Sequence, residues 1–161
     1  MLTEKDKEAY RNLVELMIKK NFSFLKWKKI FIQDLNNSRY TAITVNRRDK
    51  IIIKISLRMN KYKIRYKEAI IAHELGHMAD WCKMNWFSFH ILRDGKRLFR
   101  KYKREEEIIA DKYAIQLGYA HELYNQRKAR FRSKDIQDLK IQKYYWSHNE
   151  IKEYAKSINK W

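Results

Sequence analysis

The stretch AIIAHELGHMADW, Ala69–Trp81, sets two histidines four positions apart, with a glutamate directly after the first. Around them Ile70, Ile71, Leu75 and Met78 recur at helical spacing. The pattern predicts a helix from Tyr66 or Lys67 to about Trp81, held in the core by that apolar set. Residues i and i+4 of a helix stand one turn apart on one face, so the His73 and His77 imidazoles converge. Convergent imidazoles suit zinc, which takes nitrogen donors at about 2.0–2.1 Å. Glu74 is rotated about 100° from His73 around the axis, so it can reach a water without occupying a coordination position. A carboxylate so placed is a general base for hydrolysis. Gly76 is expected to keep side-chain bulk away from the metal. Apart from His73, Glu74 and His77, no residue from Ile70 to Ala79 is charged. Two imidazoles on so apolar a helix need a partner, and a cation is the economical one. HELYN, His121–Asn125, copies the first half of the motif without the second histidine and reads as ordinary helix.

A catalytic zinc takes three protein ligands and leaves a fourth position to water. The best source of the third is REEEIIADKYAIQLGY, beginning at Arg104. Helical periodicity puts Glu107, Ala110, Asp111 and Ala114 on one stripe, so a small-residue face carries two carboxylates at i and i+4. Glu105, Glu106 and Glu107 alone would read as first-turn acids favoured by the helix dipole. Asp111 lies past the first turn, and a carboxylate there is better explained as the group that orients a ligand histidine.

H-E-L-G-H followed by E-x-x-A-D resembles the gluzincin zinc metallopeptidases, and is most similar to the compact ImmA/IrrE-like peptidases and minimal single-domain gluzincins. The resemblance covers residues 30 to 118 and rests on the two motifs together. It implies that His73, His77 and Glu107 bind Zn2+, that Glu74 is the catalytic base and that Asp111 supports a ligand. It implies a hydrolase, a metalloprotease acting on an intracellular protein or peptide substrate, a DNA-bound regulator being one candidate. It also implies a substrate strand laid beside residues 40 to 45. A SprT-like DNA-associated protease would use a later histidine, here His90, in place of Glu107; that choice lacks glycine-rich surroundings and leaves Glu107 and Asp111 unexplained. A metzincin is excluded, since Asp80 and Lys83 stand where its glycine and histidine are required.

Outward from the motifs, the chain reads as one zincin-like α+β domain over residues 1–161. Its core spans about 30–118, with a helical extension over 119–161. Thr3 and Asp6 form a capping box before an amphipathic helix over 4 to 20, with Tyr10, Leu13, Val14, Met17 and Ile18 on its apolar face. Residues 30 to 33 and 40 to 45 read as strands, the second with Ile43 and Val45 on the face opposite Tyr40 and Ala42. IIIKIS, 51 to 56, is so continuously apolar that it predicts a strand buried on both faces. A glutamate helix covers Arg104 to Leu117 and stops at Gly118. Asp94 and Gly95 mark a turn. A last helix follows the capping box Ser147–Glu150 and turns Ile151, Tyr154, Ala155 and Ile158 inward. Trp81 and Trp86 are expected in the core, Cys82 is expected to be a passive thiol, and Tyr102 and Tyr113 are candidate donors to a transition state.

The chain has 161 residues, of which 45% are hydrophobic, enough for a packed core despite 35% charged. No apolar run is long enough to span a membrane, the N-terminus has no leader pattern, and one cysteine forms no internal disulfide. A cytoplasmic protein is the expectation. Lys and Arg number 37 against 19 Asp and Glu, a net charge of +18. Basic clusters at 58 to 67, 96 to 104 and 127 to 134, interleaved with Phe99, Tyr102 and Phe131, are compatible with a nucleic-acid partner. A solvated basic surface is the plainer reading. The competing function is a non-catalytic nucleic-acid-binding protein with a structural zinc.

Overall fold

The computed structural model describes residues 1–36, 40–47, 49–83, 100–132 and 142–161. His90, Trp86 and the Asp94-Gly95 turn lie outside the described residues, as do parts of the basic clusters 96 to 104 and 127 to 134. The described residues form an α+β fold of five α-helices and a three-stranded sheet.

Helix α1, Glu4–Asn21, starts at the expected box: Thr3 Oγ1 accepts from the Asp6 amide, and the Asp6 carboxylate accepts from the Thr3 amide. Its dipole is matched at both ends, by Glu4 and Asp6 in the first turn and Lys19 and Lys20 in the last. Tyr10, Val14, Met17 and Ile18 are buried. The strands are β1 (Lys29–Asp34), β2 (Ala42–Asn46) and β3 (Lys50–Ile55), in the order β1-β3-β2. β3 pairs parallel to β1, with Ile32 opposite Ile53, and antiparallel to β2, with Thr44 opposite Ile53.

The central position of β3 does not bury both of its faces. Ile51, Ile53 and Ile55 are fully buried, whereas Ile52 and Lys54 alternate with them on a half-open face. The expectation of two-sided burial is therefore corrected: a sheet with helices on one side needs apolar residues only at every second position. On β2 the inward pair is Ala42 and Thr44. No strand pairs with the outer edge of β2 among the described residues.

Helix α2, Ile64–Lys83, packs across β2 and carries the two histidines. Helix α3, Arg100–Gln116, starts four residues earlier than its sequence pattern indicates. It ends at Gly118, whose φ of +90° suits glycine, with Tyr119 N–H donating to the Ala114 carbonyl and Gly118 N–H to that of Ile115. Helix α4, Ala120–Arg132, and helix α5, His148–Ser157, pack on each other. α5 is capped by Ser147 and Glu150 as expected. Arg104 ties α3 to this end of the chain, donating to the Tyr145 carbonyl (3.3 Å) and to Glu150 Oε1 (2.9 Å). It is thus a structural clasp rather than a free cation of the basic cluster. No helix among the described residues is long and apolar enough to cross a membrane.

The α2–α3 crossing sets the geometry of everything that follows. A Cβ at Gly76 would sit 2.9 Å from Ala110 Cα, 3.0 Å from its carbonyl oxygen and 3.1 Å from Tyr113 Cβ. Gly76 thus clears the backbone of α3, not the metal, which corrects the role expected from sequence. With Ala110 and Ala114 fully buried opposite it, the two helices approach closely. Gly76→Ala should gain up to about 1 kcal/mol of helix propensity but lose about 1–3 kcal/mol to overpacking against rigid backbone. A lower denaturation midpoint is expected. Unchanged stability would show that the crossing is looser than described.

Candidate metal centre and cleft

Across that crossing α2 presents His73 and His77, and α3 presents Glu107 and Asp111. The imidazoles stand with centroids 4.8 Å apart and planes at 87°. Glu107 Oε2 lies 3.2 Å from His73 Nε2 and 3.7 Å from His77 Nε2. The three donor atoms all fall within 4.8 Å of one another. A tetrahedral zinc with bonds of about 2.0–2.1 Å separates its donors by about 3.3–3.4 Å, so the two measured edges bracket that spacing.

The opposite nitrogen of His73 is also engaged: Nδ1 lies 2.8 Å from Asp111 Oδ1. A carboxylate on each ring nitrogen demands a positive charge, either on the ring or between the ring and Glu107. Burial disfavours the His73 imidazolium, but its hydrogen bonds to Asp111 and Glu107 outweigh burial and push its pKa up to about 10. A divalent cation between Nε2 and Glu107 supplies the same charge while leaving the ring neutral, with its proton on Nδ1 toward Asp111. The donor set fits zinc on this ground as well as on spacing.

Asp111 is fully buried. Burial favours its neutral form, but the Arg127 guanidinium and the His73 imidazole together outweigh it and hold the carboxyl below its ordinary range. Arg127, itself 2% exposed, donates Nη2 to Asp111 Oδ1 (2.9 Å) and Oδ2 (3.2 Å). Its guanidinium stacks 4.1 Å from the centroid of the Tyr145 ring. Glu107 follows the same logic: burial raises it, and the His73 and His77 imidazoles more than compensate. The Tyr145 phenol is pushed well up by burial, reinforced by the Glu107 carboxylate. It therefore stays a hydrogen-bond donor.

Glu74 is anchored separately from the three donors. Its Oε2 accepts from Thr44 Oγ1–H at 2.8 Å, a buried bond between α2 and β2. These groups line a cleft of about 370 Å³ that also includes Tyr40, His77, Trp81 and Tyr145. Trp81 is buried, as expected, but it also walls the cleft. Its ring stacks on His77 at 6.0 Å and its indole N–H donates to buried Glu106 (3.2 Å).

Of the residues singled out from sequence, His73, Glu74, His77, Glu107 and Asp111 come together here. Tyr113 does not; it packs beneath Gly76 and against Phe22. The Tyr102 side chain lies outside the described residues. His121 of HELYN stacks on Trp161 at 4.2 Å, away from the cleft, and Cys82 is free and exposed. Thr44, Arg127 and Tyr145 escaped the sequence reading. Arg127 had been counted in a basic surface cluster, and its burial against Asp111 corrects that assignment. No protein-family model, curated protein or solved structure matches the chain.

Arg127→Met should leave the Asp111 carboxylate buried without its guanidinium, a change that costs about 3–5 kcal/mol. Urea denaturation should give the full loss for the single variant. Asp111→Asn combined with Arg127→Met should cost clearly less than the two single changes summed. Additive losses would show that the pair is not coupled.

Proposed function

We propose that the protein is a zinc-dependent endopeptidase of the minimal gluzincin kind, with a zincin-like fold and a protein or peptide substrate. The observation that carries the reading is one cleft holding three donors within 4.8 Å of one another beside a separately anchored glutamate. The edge of β2 next to that cleft, which pairs with no strand among the described residues, suits a substrate peptide added as a further strand. A structural zinc would need a fourth protein ligand, and among the described residues the donor group numbers three. That count favours the enzyme over the nucleic-acid-binding alternative.

His73, His77 and Glu107 would hold the zinc, which when bound supplies a Lewis acid and brings a water to a pKa of about 7. The rest falls to the chain's own residues. Asp111 fixes the His73 proton on Nδ1 and so leaves Nε2 free to ligate. Arg127 keeps Asp111 ionised for that task. Thr44 pins one Glu74 oxygen, leaving the other to take the proton of the attacking water. As the water oxygen bonds to the scissile carbonyl carbon and the C–N bond breaks, Glu74 passes that proton to the departing amine. Tyr145, held protonated at the cleft wall, donates a hydrogen bond to the oxygen on which negative charge develops.

Glu74→Gln keeps the shape and the Thr44 contact but cannot accept the proton. Turnover of a fluorogenic mixed-peptide library should fall by about 10²–10⁴, with about one zinc per chain retained. His73→Ala and His77→Ala should instead lose the metal. Full hydrolysis by Glu74→Gln would overturn the reading, as would full zinc in either histidine variant.

A further inference from the structure

The cleft does not end at the metal donors. A narrow hollow of about 40 Å³ shares Tyr40, His73, Glu74 and Tyr145 with it and continues between β2 and α4. That hollow in turn shares Thr41, Ile70, Gln126 and Arg130 with a larger pocket of about 640 Å³. The three hollows therefore adjoin one another, from Glu74 past Tyr145 and Arg130 to the pocket between the start of α2 and α4.

The far pocket differs in chemistry from the cleft. Lys61 and Lys63 stand on one rim and Arg130 on the other, with Tyr62 and Tyr66 between them. The two tyrosine rings lie 6.4 Å apart at 31°. No carboxylate is among the lining residues. Elsewhere on the same face the charge is neutralised: Arg65 pairs with Glu122 at 3.2 Å and donates to the Gly118 carbonyl. Lys61 and Lys63 are exposed and pair with no carboxylate among the described residues. The near cleft is mainly acidic, with Glu74, Glu106 and Glu107 in its lining against the one lysine, Lys103.

We propose that the far pocket is a substrate subsite for acidic side chains of a polypeptide whose backbone passes over the narrow hollow to Glu74. The inference rests on the peptidase reading and names its substrate class: proteins with an acidic segment at a fixed distance from the bond cut. A neutral peptide backbone can pass the carboxylates of the near cleft, and its glutamates or aspartates then meet the cations beyond. A nucleic acid would carry phosphates through both halves and meet repulsion at Glu74, Glu106 and Glu107. The tyrosines offer apolar faces for the methylene stems of the acidic residues, and their hydroxyls offer donors to the carboxylates.

The test uses the full-length, zinc-loaded Glu74→Gln protein and two fluorescein-labelled twelve-residue peptides, one bearing four consecutive glutamates, the other glutamines at those positions. Fluorescence anisotropy at low salt should show at least tenfold tighter binding of the glutamate peptide, the preference shrinking as salt rises. Lys61→Glu with Lys63→Glu should abolish the preference. Lys19→Glu with Lys20→Glu, the same charge change at the exposed end of α1, should leave most of it. Equal binding of the two peptides overturns the subsite, as does equal loss in both double variants. A single-stranded oligonucleotide that outcompetes the glutamate peptide, and does so only while Lys61 and Lys63 are intact, also overturns it in favour of nucleic acid. Hydrolysis by the unsubstituted protein is scored separately. Cleavage without the preference removes the subsite alone, and the preference without cleavage removes the peptidase reading alone.

Discussion

The buried run His73–Asp111–Arg127 is the interaction on which the rest of the structure depends. It joins α2, α3 and α4 through one carboxylate that has no access to water. An isolated carboxylate in that position would be neutralised or expelled. It stays ionised because a guanidinium grips both of its oxygens and an imidazole N–H takes the remaining direction. Removing any member leaves the others with uncompensated charge, so the run acts as a unit. The same bonds that close the helical layer also set the His73 ring, which makes the orientation of that imidazole a consequence of folding.

What sequence could reveal divides along the same line. His73, Glu74 and His77 were legible because their relation is set by helical periodicity alone, and the Glu107–Asp111 stripe for the same reason. The capping boxes at Thr3 and Ser147 and the stop at Gly118 are likewise local. Thr44, Arg127 and Tyr145 were not legible, because the first and last reach the cleft, and Arg127 reaches Asp111, through packing between elements far apart in sequence. Arg127 sits among Lys128, Arg130 and Arg132, and nothing in that run marks which cation turns inward. Its i+4 neighbours Leu123 and Phe131 offered the only hint, an apolar stripe into which the arginine falls. The two-sided burial expected of β3 failed because an apolar run does not reveal how many layers cover a sheet. Gly76 was rightly noticed but wrongly explained, since its close partner, the backbone of Ala110, belongs to another helix.

Charge is unevenly distributed, and that matters more than its sum. A chain of net charge +18 gathers Glu74, Glu106, Glu107 and Asp111 around one cleft. Within it the acids are matched by imidazoles, an indole N–H, a hydroxyl and one buried guanidinium. A short distance away, Lys61 and Lys63 pair with no carboxylate among the described residues. A cleft lined by three glutamates thus lies beside a pocket whose lining has cations and no carboxylate.

The central claim is that His73, His77 and Glu107 form a three-ligand centre with a position left for water. X-ray absorption at the zinc edge of the zinc-loaded protein tests it most directly. The account predicts one zinc per chain with four nitrogen or oxygen neighbours at about 2.0–2.1 Å, two of them imidazoles. Failure to hold stoichiometric zinc, or a sulfur neighbour at about 2.3 Å that would bring in Cys82, would contradict it.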